Sequence, residues 1–189
     1  MKKFELTSEF NLNFFGRKFF RIKALVNIER YGVKAGDLGG WVEKEDNLSQ
    51  SGNAWVSGNA EVSGNAWVSG DAVVSGNAKV SGDAVVSGNA KVSGDAEVSG
   101  NAKVSGDAKV SGDADYAVIK GFGTVYRPTT FFRCHDGEVR VTCGCFYGTI
   151  DEFREQVKRT RKGKVADEYL KIADLMEYHF KKEDSGENV

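Results

Sequence analysis

Small apolar residues recur every six positions between residues 51 and 116, in the order Ser-Gly-Asn/Asp-Ala-x-Val, written ten times and followed by an eleventh hexad that ends in Tyr116. Ala and Val stand two apart, so on an extended strand both point to one side and x points to the other. Gly, Asn and Asp tolerate positive φ, and Ser-Gly-Asn/Asp is therefore predicted to form a tight corner. An α-helix is excluded, because regular glycines destabilise it and residues two apart do not share a helical face.

Short strands joined by tight corners predict a β-solenoid. Two hexads per coil would stack residues twelve apart, with Lys79, Lys91 and Lys103 in one column. Three hexads per coil stack residues eighteen apart, which places Lys79 between Glu61 and Glu97. Opposite charges on adjacent strands stabilise and like charges destabilise. The triangular coil of 18 residues is therefore predicted, although it leaves Lys91 over Lys109.

The hexads resemble the left-handed parallel β-helix hexapeptide-repeat family, whose hexad begins with Leu, Ile or Val and has a small residue four positions later. Every hexad from Val56 through Val110-Ser-Gly-Asp-Ala114-Asp fits. Extended backwards, Leu38-Gly-Gly-Trp-Val42-Glu fits well, and the hexads at Lys44 and Gln50 fit partly. The resemblance implies the left hand of the coil and covers about residues 38–115.

The predicted fold class is mainly β, a triangular left-handed β-helix with a hairpin cap and a small C-terminal α+β module. The predicted boundaries are a cap at 1–37, a solenoid at 38–116 and a module at 117–189. In the cap, residues 9–28 alternate apolar and polar positions around Gly16, which predicts a β-hairpin that caps or wraps the first coil.

The C-terminal module is predicted to contain a second hairpin and two helices. Asp136-Gly137 is a two-residue turn signal that pairs Cys134 with Val139 and puts Phe132, Val141 and Cys143 on one face. Thr149 and Glu152 form a capping box for a helix through about Lys158. A second helix is predicted at 165–181. Its predicted buried face consists of Tyr169, Ile172, Ala173, Met176 and Phe180.

Two columns of the outward position x begin with tryptophan, continue with valine one coil later and then carry lysine. Trp55 is predicted to stack on Val73 and Trp67 on Val85, on two different faces. An exposed apolar patch of this kind needs a partner. Three alternatives stay open: the N-terminal hairpin covers it, copies of the chain associate through it, with a trimer favoured because related solenoids are commonly trimers, or another protein binds it. Trp55, Trp67, Val73 and Val85 are the predicted partner or oligomer interface.

Charge excludes some partners and suggests one local contact. Lys plus Arg is 26 against 27 for Asp plus Glu, so nothing in the net charge of −1 favours nucleic acid. The repeat itself is acidic, but interspersed lysines argue against a DNA mimic. A basic link can contact a charged partner through Lys158, Arg159, Arg161, Lys162 and Lys164. No signal peptide, no membrane span and three clustered cysteines predict a cytoplasmic protein of a bacterial host.

Candidate chemistry is weak. Acyltransferases that this repeat resembles place a general-base His on a coil, whereas His135 and His179 both lie beyond the coils. Four residues are enough in number to ligate a zinc ion: Cys134, His135, Cys143 and Cys145. Their spacing lacks a Cys-x-x-Cys knuckle, so we expect the cysteines to pack in the core instead. The prediction is no enzyme, no metal and no cofactor. The alternative is an acyltransferase-like enzyme with a site between protomers.

The order of segments along nearly the whole chain, from LGGWVEKEDNLS through the hexads to CGCFYGTIDEF, is similar to that of a group of uncharacterised bacterial and phage-encoded hexapeptide-repeat proteins. That resemblance implies the architecture and a mobile-element origin. We therefore expect a non-enzymatic binding or assembly protein, a rigid scaffold for a protein partner, and a phage accessory or anti-defence role as one use of it.

Overall fold

A computed structural model describes residues 2–181 of the chain. It is mainly β, with a solenoid of about four turns between an N-terminal hairpin and a C-terminal module of strands and two helices. The first three strands are β1 (Phe4–Leu12), β2 (Lys18–Ala24) and β3 (Leu38–Val42). The coil strands are β4 (Trp55–Val56), β5 (Glu61–Val62), β6 (Trp67–Val68), β7 (Val73–Val74), β8 (Lys79–Val80), β9 (Val85–Val86), β10 (Lys91–Val92), β11 (Glu97–Val98), β12 (Lys103–Val104) and β13 (Lys109–Val110). The module contains β14 (Tyr116–Ile119), β15 (Thr129–Arg133), β16 (Val139–Cys143), β17 (Phe146–Thr149), α1 (Ile150–Thr160) and α2 (Gly163–Phe180).

Each coil takes three strands and 18 residues, as predicted. Trp55 pairs in parallel with Val73, Glu61 with Lys79 and Trp67 with Val85. This register makes three flat sides, which we call face A (β3, β5, β8 and β11), face B (β4, β7, β10 and β13) and face C (β6, β9 and β12). Lys79 reaches Glu97 on face A at 3.4 Å, whereas Lys91 lies against Lys109 on face B. The left hand of the coil stays a prediction from the resemblance.

The interior is a stack of alanine and valine. All of these side chains from Ala54 to Val110 are buried, because both apolar positions of every hexad point inward. The corners need glycine for two reasons that coincide at Gly82. Its φ is +70°, and a Cβ placed there would lie 2.9 Å from the backbone N and O of Gly100, one coil later. Corner side chains also stack, and Asn65 donates from Nδ2 to Oδ1 of Asp83 at 3.0 Å.

The first coil corrects the predicted frame. Trp41 pairs with Glu61 and Val42 with Val62, so this coil has 20 residues and Val42 occupies a valine position instead of the small one. Gly40 is the small residue, because a Cβ there would lie 2.7 Å from Cγ1 of Val56. Leu38 is exposed. Leu48 bridges Val68, also 20 residues apart, whereas Trp55 pairs with Val73, 18 apart, so the two extra residues lie between Leu48 and Trp55, after the 3-10 turn at Glu45–Asn47. At the other end of the solenoid Ala114 is exposed in a 3-10 turn at Asp113–Asp115.

The predicted N-terminal hairpin is confirmed and continues face A. β1 and β2 are antiparallel, and β2 pairs with β3 at the edge of the solenoid. Phe4, Ile22 and Ile28 are buried and close the first coil. The Lys3 side chain is also buried, and its ammonium group donates to the carbonyl oxygen of Ala54 at 2.7 Å. Burial lowers the pKa of Lys3 to about 8.

The C-terminal module is a four-stranded antiparallel sheet in the order β14-β15-β16-β17, of which the sequence predicted only β15 and β16. The predicted register is wrong by one residue, because Arg133 pairs with Val139. Cys134 accepts a backbone hydrogen bond from Gly137 and donates one to Glu138, which makes a three-residue turn instead of a two-residue turn. Phe131 therefore faces the helices with Val141, and Phe132 packs on the last coil.

The helices confirm the predicted caps and buried face. Thr149 and Glu152 form the capping box of α1, and all five predicted residues of α2 are buried. Within residues 2–181, no helix has the length and the apolar character that crossing a membrane requires. Residues 182–189 of the predicted module, and Met1, lie outside the described range.

Candidate protein-docking surface

Each face of the solenoid has one tryptophan at the outward position near its N-terminal end. Trp41 lies on face A, Trp55 on face B and Trp67 on face C, and these are all the tryptophans in the chain. The side chains point outward because x alternates with the buried Ala and Val on each strand. The three tryptophans thus occupy similar positions and differ in what covers them.

Trp55 is covered by the chain itself. The segment at 25–38, which follows β2 and ends at the first residue of β3, lies against face B and lines a cleft with Trp55, Val73 and Lys91. Trp55 is only 3% exposed and belongs to the solenoid core. The structure therefore corrects the predicted interface at this position, because a buried side chain is not available to a partner. Val73 is half-buried beside it.

Two side chains of the covering segment bind the corner of the coil. The Tyr31 hydroxyl donates to the carbonyl oxygen of Asp71. The Arg30 guanidinium lies 3.2 Å from Oδ2 of Asp71 and donates to Oδ1 of Asn89 at 3.0 Å. Burial raises the pKa of Tyr31 above its usual range, which keeps the hydroxyl protonated as a donor at neutral pH.

Trp41 is covered by a different part of the N-terminal segment. The Arg21 guanidinium of β2 lies 4.9 Å from the centroid of the Trp41 ring, and Trp41 is 7% exposed. Stacking of a guanidinium on an indole ring is a favourable contact. Two of the three tryptophans are therefore shielded within the chain.

Trp67 is the tryptophan that the described part of the chain leaves exposed. Its side chain is 46% exposed on face C, where Val85 is half-buried and Lys103 is exposed. The register places Trp67 beside Val85 and Val85 beside Lys103. We call these three residues the face C column. Of the four predicted interface residues, it contains Trp67 and Val85.

A second apolar surface was missed by sequence reasoning. Phe14 and Phe15 in the turn between β1 and β2 are 97% and 87% exposed, with their rings 5.5 Å apart and nearly perpendicular. The hairpin was predicted to cap or wrap the first coil, and Phe4 and Phe19 are buried as that role requires, whereas Phe10 is exposed with the two turn residues. This turn lines a groove with Ser63, Ser81 and Ser99, the corner residues that lead from face A to face C. Two adjacent phenylalanines beside Gly16 at a turn are the signal that could have indicated an exposed tip.

The basic link is exposed but is not joined to the face C column, and its contact with a charged partner stays a prediction. Lys158 and Arg159 lie in the last turn of α1, and Lys164 lies in the first turn of α2. Lys158 is paired with Glu155 at 2.8 Å and Lys164 with Glu168 at 3.7 Å, both within their own helices. Arg161 and Lys162 are exposed between the helices.

The cysteines and histidines do not converge. Cys134 packs against the last coil, whereas Cys143 packs beside the core formed with the helices and Cys145 is exposed. Burial raises the pKa of the Cys134 thiol to about 11, so it is a neutral apolar group at pH 7. Among residues 2–181, no group of three or more His, Cys, Asp or Glu side chains has an arrangement that could hold a metal ion.

Comparison with known families agrees with the geometry. Residues 60–76 match the family described as YdcK Beta solenoid repeat. The match covers 17 of the 189 residues, and the register of the coils shows that the chain folds as a β-solenoid. No curated protein matches it. In this solenoid repeat protein the matched residues run from face A across Trp67 and face C to Val73 and Val74 of face B, so the open tryptophan lies within the matched segment.

Proposed function

We propose that this solenoid is a non-enzymatic binding scaffold that docks a protein partner on the face C column. The observation that carries the proposal is the contrast between Trp67, which is open, and Trp41 and Trp55, which the chain itself covers. Tryptophan is enriched among the residues that dominate binding energy at protein interfaces. The coils beneath it are rigidly held by backbone hydrogen bonds between successive turns, so the surface is formed before the partner arrives.

The proposed use follows from the resemblance to phage-encoded repeat proteins. In the proposed phage accessory or anti-defence role, the scaffold occupies a surface of a host protein, which requires shape and stability but no catalysis. The exposed tip at Phe14 and Phe15 and the basic link at 158–164 are proposed as additional contacts, the link for a charged partner. The bacterial cytoplasm is the proposed place of action.

The acyltransferase alternative is not favoured. A general base must lie within hydrogen-bond reach of the group that it deprotonates. From β4 to β13 the coils run without an inserted loop and without histidine. His135 lies in the turn between β15 and β16, and His179 in the last turn of α2. A binding role needs none of these groups.

Replacing Trp67 by lysine is expected to abolish partner capture from host lysate. The change places a hydrated charge at the N-terminal end of the column and removes its largest apolar contact, and loss of one such residue weakens binding by at least tenfold, about 1.4 kcal/mol. The matched control is Leu175→Lys, which puts the same charge on an exposed apolar position of α2. Quantitative capture with the tagged protein measures the effect.

Equal recovery of the partner by the wild type and the Trp67→Lys variant would refute the proposal, and so would an equal loss with Leu175→Lys. Light scattering on the same samples tests the predicted trimer. If the face C column joins copies of the chain, the Trp67→Lys variant falls to the monomer mass of 20.6 kDa. In that case the scaffold assembles with itself through this column.

A further inference from the structure

Faces B and C have the same surface chemistry, displaced by twelve residues. Each has tryptophan, valine and lysine in successive coils, and each is preceded by an Asp and Asn pair in neighbouring coils at the corner. The matching pairs are Trp55 and Trp67, Val73 and Val85, Lys91 and Lys103, Asp71 and Asp83, and Asn89 and Asn101.

Face B reveals what this surface binds, because the chain's own segment at 25–38 occupies it. Arg30 pairs with Asp71 and Asn89, and the adjacent Tyr31 donates to the Asp71 carbonyl. Tyr31 and the buried Trp55 line the same cleft, and the Trp55 ring also lies against Gly39 of β3. An arginine beside a tyrosine thus pairs with the corner carboxylate, while the tyrosine packs beside the apolar residues of the same face. Paired recognition of a carboxylate and an aromatic surface is a common role of arginine.

On face C the corresponding carboxylate is held only by amides. Asp83 accepts from Nδ2 of Asn65 at 3.0 Å and from Nδ2 of Asn101 at 3.2 Å. Within residues 2–181, no Lys or Arg nitrogen lies within 4.0 Å of its oxygens. The nearby cations bind its neighbours: Lys44 donates to Oδ1 of Asn65 and Lys120 to Oδ1 of Asn101. The negative charge and the open tryptophan are therefore both available.

We propose that face C binds a loop of a partner protein that presents an arginine next to an aromatic residue. The arginine pairs with Asp83, and the aromatic ring packs on Trp67 and Val85. The inference rests on the proposed function and names the chemistry of the partner. The segment at 25–38 is already bound to face B of its own chain, so the loop comes from another protein. The small area of the column suits a single loop, since a stable subunit interface needs about 20–30 residues a side.

The experiment uses the chain's own segment as a probe. Residues 24–37 are made as a head-to-tail cyclic peptide, because in the protein Ala24 donates to the carbonyl of Asp37 at 2.9 Å and accepts from Gly36 at 2.8 Å. Isothermal titration of the full protein with this peptide is expected to show saturable binding below about 1 mM. The Trp67→Lys and Asp83→Asn variants are each expected to weaken it at least tenfold. A peptide with Arg30 replaced by glutamate is expected not to bind.

Failure of the peptide to bind would overturn the proposed chemistry, and unchanged binding to the Trp67→Lys and Asp83→Asn variants would overturn the proposed location. A multimer that dissociates with Trp67→Lys would also overturn it, because the occupant would then be a second copy. These results are separable from the proposed function. If Trp67→Lys abolishes partner capture while the cyclic peptide does not bind, the docking surface stands and only the arginine and aromatic specificity fails.

Discussion

Replacing Gly82 by alanine is expected to lower the free energy of unfolding by about 2–5 kcal/mol, whereas Gly100→Ala costs only about 1–2 kcal/mol. Both residues have a left-handed backbone, with φ of +70° and +66°, so both variants bear the strain of an L-residue there. Only Gly82 has the next coil against it, with the added Cβ 2.9 Å from the backbone of Gly100. Overpacking of this kind costs a further 1–3 kcal/mol.

Urea unfolding followed by circular dichroism measures the difference between the two variants. Gly100 is the matched control because the chain leaves the coil after Val110 and nothing lies within 4 Å of a Cβ at this position. Equal destabilisation by the two substitutions would show that backbone strain alone accounts for the loss of stability. It would contradict the contact between Gly82 and the following coil.

Replacing Phe132 by alanine and replacing Phe131 by alanine are expected to loosen opposite sides of the C-terminal sheet. Both rings are fully buried, and removing either costs about 3–5 kcal/mol. Phe132 belongs to the core that contains Ala108 and Val110 of the last coil. Phe131 packs on Phe153 of α1, with ring centroids 6.1 Å apart and planes nearly perpendicular. The two variants therefore have similar stabilities and different local effects.

Hydrogen exchange monitored by mass spectrometry locates these effects. Phe132→Ala is expected to raise exchange in β10 and β13 first, and Phe131→Ala in α1 and α2 first. The same regions losing protection in both variants would contradict the observed register, in which neighbouring residues of β15 point to the solenoid and to the helices.

The repeat predicted the coil because its physics is local and is written many times. Each hexad places Ala and Val two residues apart and separates the pairs by Gly and Asn/Asp. Only short strands joined by tight corners bury all of these apolar residues. The alternating charges of Glu61, Lys79 and Glu97 then favoured a coil of eighteen residues over one of twelve, and the register confirms it. The prediction failed where the repeat ends. Leu38 and Val42 match the hexad in sequence, yet two extra residues between Leu48 and Trp55 shift Val42 into another column.

The docking surface could be predicted only in part. The period placed Trp55 and Trp67 outward, but it could not tell which of them is covered. That outcome depends on Arg30 and Tyr31, which reach Asp71 across 40 residues or more of sequence. Nothing in the local pattern of residues 25–38 signals that contact. The exposed Phe14 and Phe15 were missed for the opposite reason, since aromatic residues in a hairpin usually pack.

The most direct test of the account is whether the face C column exists, because the docking surface depends on it. In this column Val85 pairs with Lys103, and paired strands are about 4.8 Å apart, a distance that a disulfide can bridge. The double variant Val85→Cys, Lys103→Cys is predicted to form that disulfide on mild oxidation, as mapped by digestion and mass spectrometry. Val85→Cys, Glu97→Cys is predicted not to, because Glu97 lies on face A. A disulfide between positions 85 and 97, and none between 85 and 103, would indicate coils of twelve residues and contradict the account.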